Sequence, residues 1–213
     1  MNERETTPHV TQRWISNAQM RGALQVVEDL LGRNGRTAVL RLSGLERYID
    51  QLPPDNDQME IPRGDISALF SGIISMFGDQ GARGVFRRWG RAFAARRAER
   101  RFALRLLRPV MRLLPAERSA RIVLERLLHH VDLVRDDQPP VLDDRGDYFI
   151  LELTDCVYCS GQNLPQPSCL TVIGLLEGLL RWITGNDYDV TEEPSTEPGV
   201  QRFKTRKRAI GRR

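Results

Sequence analysis

At 213 residues the chain is sized for one domain, and an apolar fraction of 40% is enough for a real core. Its formal charge of +4 is modest in sum but uneven in distribution. No apolar run approaches the roughly 18–20 residues of a membrane span, and the polar stretch Met1–Thr11 carries no signal-peptide apolar region. The expected location is therefore the cytoplasm, where cysteines stay reduced.

Residues 1–16 read as a flexible N-terminal tail, with Trp14 and Ile15 able to tuck onto the domain. Helical spacing of Leu24, Val27, Leu30 and Leu31 predicts a helix from Asn17, a good N-cap, to Leu31, with Gly32 closing it. Asn34-Gly35 reads as a turn, and a second helix follows over Thr37–Ile49, bent near Ser43-Gly44. After the acidic loop Leu52–Glu60, Asp65 is placed to cap a helix ending at Gly78. Gly81–Arg101 is predicted helical, with Val85, Phe86, Trp89, Phe93 and Phe102 as its apolar positions. Leu104–Leu114 continues helical despite Pro109, and another helix runs from Pro115-Ala116 to His129-His130.

Beyond this point the pattern changes. Val131–Val134 can start a strand, Asp136–Pro140 and Asp143–Asp147 are turn-rich, and Tyr148–Thr154 is a β-prone run. Leu170–Ile183 carries a wide apolar helical face, with Gly174 and Gly178 spaced for close approach of a backbone or a ligand. Tyr188–Thr191 reads as a short strand, Val200–Thr205 as its antiparallel partner, and Lys204–Arg213 as a disordered basic tail. This order predicts an α+β fold, with N-terminal helices packed on a C-terminal antiparallel sheet crossed by one long apolar helix. The expected division is a tail over 1–16, a domain over 17–205 and a basic C-terminal tail over 206–213.

Charge is segregated along the chain. Fourteen arginines lie between Arg83 and Arg126, against Glu99, Glu117 and Glu125, while the acids cluster in Asp50–Glu60 and Asp132–Asp147. The arginines fall all round their helices. The plain expectation is a solvated face pairing with the acidic loops, set against an anionic ligand head group or a nucleic-acid backbone. Glu177 is read as an exposed position on its helix, set against a buried acid facing a ligand. His129-His130 fits a helix C-terminal cap.

All three cysteines fall in one segment, as Cys156-x-x-Cys159 and Cys169. As thiolates, Cys156 and Cys159 form a natural bidentate pair. Cys169 with Glu192, His129 or His130 would complete tetrahedral zinc. Set against this is a pair of buried cysteines packing as small apolar residues. A redox role fits poorly with the Gly161–Pro167 loop. No Ser-His-Asp or Cys-His arrangement can be assembled, and no Gly-rich dinucleotide fingerprint follows a strand.

Three groups of residues together resemble the V4R (4-vinyl reductase) domain family. They are Ala38–Ile49 with Pro53–Asn56; Met76–Gly78 with Gly81–Ala92; and Asp155–Cys159, Ser168-Cys169, Gly174, Glu177-Gly178, Gly185 and Val190–Glu192. They cover most of 17–205. The resemblance implies a fold shared with the ligand-binding domains of nitric-oxide signalling and with Bet3-type subunits of Golgi transport complexes. It also implies bacterial relatives that sense aromatic effectors or serve bacteriochlorophyll synthesis. In metal-binding relatives, Cys169 and Glu192 would match two ligands, whereas Ser195 and Phe203 stand where further cysteines would be.

The combined expectation is a non-catalytic binding or sensor domain for a hydrophobic or aromatic small molecule. Ligand residues would be Phe70, Trp89, Phe93, Leu175, Leu179 and Trp182, with zinc on Cys156, Cys159, Cys169 and Glu192 as the candidate cofactor and a homodimer as the candidate assembly. The alternatives are an enzyme or accessory protein of tetrapyrrole metabolism and a nucleic-acid-associated regulator using the arginine helices.

Overall fold

The computed structural model describes residues 14–128, 140–154, 158, 169–195, 197 and 199–212. The expected strand at Val131–Val134 and the sequence 159–168 lie outside the described residues. Strand β1 (Trp14–Ser16) leads into helix α1 (Asn17–Leu42), whose N-cap is Ser16 rather than Asn17. Ser16 Oγ accepts the Gln19 amide at 3.1 Å, and the Asn17 side chain instead donates to Asn56 and Glu60, tying the helix to the acidic loop. The two helices read in the sequence are one continuous element with a kink at Gly32, where φ is +73°. A short 3-10 turn (Glu46–Tyr48) follows Gly44.

Strand β2 (Met59–Pro62) pairs antiparallel with β1. Helix α2 (Gly64–Arg100) spans both predicted helices of this region and kinks at Gly78, where φ is +67°. Arg63 is its N-cap and makes no side-chain capping bond, so Asp65 does not cap it. The buried Asp65 carboxylate, in the first turn, accepts from Arg47 and from the Tyr48 hydroxyl at 2.6 Å, fastening the 3-10 turn to α2. Burial, reinforced by the bond to Asp65, pushes the Tyr48 phenol up to about 12.

Helix α3 (Phe102–Leu113) turns back over the end of α2, and α4 (Ala116–Ile122) runs into a π-helical turn at Val123–Leu127. Phe102, expected on an apolar helical face, projects into solvent because the chain breaks from α2 at Arg101, whose backbone is extended.

The C-terminal part is built on an antiparallel sheet. Strands β3 (Val141–Arg145) and β4 (Tyr148–Thr154) form a hairpin through Gly146-Asp147. The acidic Asp143-Asp144 pair therefore sits in a strand, not a turn. Arg145 and Lys207 neutralise it. Helix α5 (Leu170–Thr184) is followed by β5 (Asn186–Asp187), β6 (Val190–Glu193), β7 (Val200–Arg206) and β8 (Gly211–Arg212). The four-stranded sheet has the order β3-β4-β7-β6, and β8 pairs with β5. The basic C-terminal stretch is consequently tied down: amides of Arg206, Lys207 and Ile210 donate to Asp189, Asp147 and Asp187. Phe149, Leu151 and Leu153 alternate into the core from β4, and Leu151 faces Phe203 across the ladder.

Helix α5 is buried on nearly every side, and its main neighbour is α2. Three glycines set that contact. A Cβ on Gly174 would lie 2.2 Å from the Arg87 carbonyl oxygen, one on Gly178 2.6 Å from that of Arg91, and one on Gly90 2.2 Å from that of Thr171. The close approach anticipated for Gly174 and Gly178 is thus made by a backbone. Gly174→Ala forces the helices apart and is expected to cost at least about 1–3 kcal/mol. Gly84→Ala, on the same α2 with nothing within 4 Å of its Cβ, is expected to stabilise by about 0.4–1 kcal/mol. Urea midpoints of the two variants check the contrast.

Candidate functional site

Three of the six predicted ligand residues meet in one aromatic cluster. Trp89 stacks on Phe93 at 4.7 Å, and Phe70 meets Trp89 edge-on at 5.1 Å. Tyr158 packs on all three rings. The polar atoms are served: Trp89 Nε1 donates to the Ala23 carbonyl at 3.2 Å, and Gln19 Nε2 donates to the Tyr158 hydroxyl oxygen at 3.1 Å. Leu175 and Leu179 are fully buried on α5. These residues fill space with one another.

Trp182, the sixth, lies elsewhere. It walls a cleft of about 570 Å³ between α2, α3 and α5. Five arginines converge there: Arg87 and Arg91 from α2, Arg108 and Arg112 from α3, and Arg181 from α5. Tyr188 and Ile210 also border it. Glu177, read as exposed, is buried at its inner edge. It accepts from Arg91 Nε at 2.8 Å and Arg87 Nε at 3.0 Å, and pairs again with the Arg87 terminal nitrogen. That bonding holds the Arg87 guanidinium above its ordinary pKa. Arg181 reaches Asp187 at 3.4 Å.

Arg108 and Arg112 have no carboxylate partner among the described residues. The Arg108 guanidinium lies 4.7 Å over the Trp182 ring, and its buried Nε has no hydrogen-bond partner. Arg112 Nε sits against Gly185, where α5 ends in a left-handed residue and its dipole is negative. Nothing in the local sequence marked this cleft. Its arginines come from three helices and read individually as solvated charges. Elsewhere arginines do meet acids, as Arg96 with Asp29, Arg100 with Asp55 and Arg101 with Asp57.

The proposed metal ligands are only partly brought together. Cys169 precedes α5, fully buried, and its amide donates to Glu192 Oε2 at 3.4 Å. Cys169 is disulfide-bonded, which corrects its expected state as a reduced thiolate. A sulfur in a disulfide lacks the thiolate charge that zinc binding needs. Cys156, Cys159, His129 and His130 lie outside the described residues, and the described residues hold no group of three metal-ligating side chains. Phe203 is a core residue opposite Glu192, and Ser195 caps the following turn by accepting the Glu197 amide.

No protein-family profile matches this sequence, and no curated protein matches it. Solved structures share its fold. A mutant of the T. Tengcongensis H-NOX domain aligns with a TM-score of 0.61 at 16% identity, covering 93% of this chain and 99% of that one. An H-NOX structure from work on haem distortion aligns at 0.60 with 17% identity, covering 90% and 93%. An oxygen-binding H-NOX domain related to soluble guanylate cyclases aligns at 0.54 with 16% identity, over the same shares. The chain has an α+β fold of the H-NOX kind, in line with the α+β order expected of it.

Burial pushes the half-buried Glu192 carboxyl above its usual range, against the opposing bond from the Cys169 amide. The unfolded chain therefore releases this proton at lower pH than the folded one, so this group lowers stability as pH rises from the unfolded pKa through the folded pKa. Glu192→Gln keeps the acceptor and removes the charge. Its stability should match the parent below that window and exceed it above, as read by urea unfolding at a series of pH values.

Proposed function

We propose that this chain is a non-catalytic small-molecule-binding domain of the V4R kind, and that its ligand is an aromatic or apolar molecule carrying an acidic group. The carrying observation is Arg108. Its cation already lies over an aromatic face while a buried Nε–H has nothing to bond. An unsatisfied buried donor costs about 1–3 kcal/mol, and an acidic oxygen in the cleft would relieve that cost once the side chain turns this Nε–H, now closed to solvent, toward it. Arg112 gives the same oxygen a second donor, and Trp182 gives the ligand's ring an edge to pack on. A volume of about 570 Å³ suits a molecule of one to a few rings. The H-NOX-like fold supports the reading, since one solved structure of that architecture is described as an oxygen-binding domain. The sensor's output would be a shift in how α3 and the β5–β8 pair close on α5.

Among the described residues no histidine is available to hold haem iron, and the cysteine and the buried tyrosines are already engaged. Cys169 is disulfide-bonded. Tyr48 and Tyr188 donate to Asp65 and to the Ala116 carbonyl, and Tyr158 accepts from Gln19. The α2–α5 contact is backbone on backbone, which leaves no slot for a porphyrin between those helices. Zinc on Cys156, Cys159 and Cys169 belongs only to a reduced form of the protein. The tetrapyrrole-enzyme alternative rests on the family resemblance alone.

Naphthoate and its neutral analogue naphthalenemethanol test the proposal by calorimetry and tryptophan fluorescence. Naphthoate should bind at least about tenfold more tightly, as expected of a bond to a charged group, and Arg108→Gln should remove that preference. Equal binding of the two, or a preference untouched by Arg108→Gln, would overturn it.

A further inference from the structure

Helix α3 turns the wrong side outward. Phe102, Leu106, Val110 and Leu113 follow one another at helical spacing and are all exposed, with Leu107 beside them. Phe102 is 70% exposed and Leu113 86%. The opposite face is the one that packs, through the buried Leu104 and Met111. Single exposed apolar residues are ordinary, but a contiguous stripe of them marks a contact surface.

The polar residues of the same helix give the chemistry of that contact. Arg105 runs along one edge of the stripe, in line with Arg112 of the cleft rim, Arg101 at the N-terminal end is paired with Asp57, and no acid occurs from Arg101 to Ala116. A two-fold pairing of this face with a second copy would set the same surface against itself. It would gather these arginines with no carboxylate on the helix to offset them. A helix with an apolar face and an arginine edge is instead complementary to a bilayer of anionic lipid, where the arginine stems reach up to the phosphates. At about 18 Å, α3 is too short to span such a bilayer, and no helix among the described residues is long and apolar enough to cross one.

We propose that α3 docks this protein on the surface of an anionic membrane. It lies in the interfacial plane, with Phe102, Leu106, Val110 and Leu113 at the acyl boundary and Arg105 on lipid phosphate. Neither the stripe residues nor Arg105 line the ligand cleft.

Co-sedimentation of the full chain with phosphatidylcholine vesicles, with and without phosphatidylglycerol, tests it. Binding should require phosphatidylglycerol and weaken as salt is raised. It should fall about tenfold or more in Phe102→Ser/Leu113→Ser and in Arg105→Glu, with the far-ultraviolet circular dichroism unchanged. These substitutions should leave naphthoate binding intact, which separates a failure here from a failure of the cleft reading. Absence of vesicle binding at low salt, or binding indifferent to both variants, would overturn the proposal. So would a concentration-dependent dimer in sedimentation that Phe102→Ser/Leu113→Ser abolishes, since the face would then be a self-interface. Binding of the stripe to acidic polypeptide in preference to phosphatidylglycerol would overturn it as well.

Discussion

The contact of α2 with α5 is the constraint on which the rest depends. Helices usually stand 8–10 Å apart because side chains separate them. Here Gly90, Gly174 and Gly178 remove those spacers along one seam, and each helix's carbonyls rest where a Cβ of the other would otherwise be. The register is thereby fixed in both directions, since sliding α5 by one residue sets a side chain against the Arg87 or Arg91 backbone. With that seam closed, the aromatic rings of α2 are directed to the α1 side. The ends of Arg87 and Arg91 are left at the other margin, where Glu177 meets them.

The same seam accounts for the charge pattern of the cleft. Glu177 is buried within the seam and cannot leave it, so two arginines are held to one carboxylate. Arg108 and Arg112, brought in by α3, have no such acid among the described residues. The surplus is therefore local and structural, unlike the arginines of 96–101, which reach across to Asp29, Asp55 and Asp57 and are offset there. Exposed pairs of that kind contribute little to stability, whereas an unpaired, part-buried guanidinium over an indole remains available to an incoming anion.

Much of the fold was legible in the chain, and the failures have identifiable causes. Tyr148–Thr154 read correctly as a strand because β-branched and aromatic residues suit a pleated surface. Gly32 and Gly78 read as helix ends because positive φ is a local property of glycine. That α1 and α2 resume beyond those kinks follows from tertiary packing, which local signals do not carry. Asp143-Asp144 looked like a turn because acids disfavour strands, and the pairing to β4 with cations from Arg145 and Lys207 overrode that preference. Glu177 looked exposed because helical periodicity assigns an outer face, and α5 has almost none. The six predicted ligand residues were selected for size and apolarity, which describes a filled core as well as a pocket. Only Trp182 carried a polar environment that separates the two.

The last described strand also borders the cleft through the residue before it. Strand β8 is held to β5 through Asn186–Arg212 and Asp187–Gly211, and the Ile210 amide donates to the Asp187 carbonyl. Ile210 itself forms part of the cleft rim, beside Asp187 and Tyr188. The strap and the rim are therefore one object. Pulling β8 away from β5 widens the mouth of the cleft, and a molecule seated under Ile210 resists the pull. For a ligand seated as proposed, occupancy would register as tension along the C-terminal segment, with the glycine-locked helices beneath it unmoved.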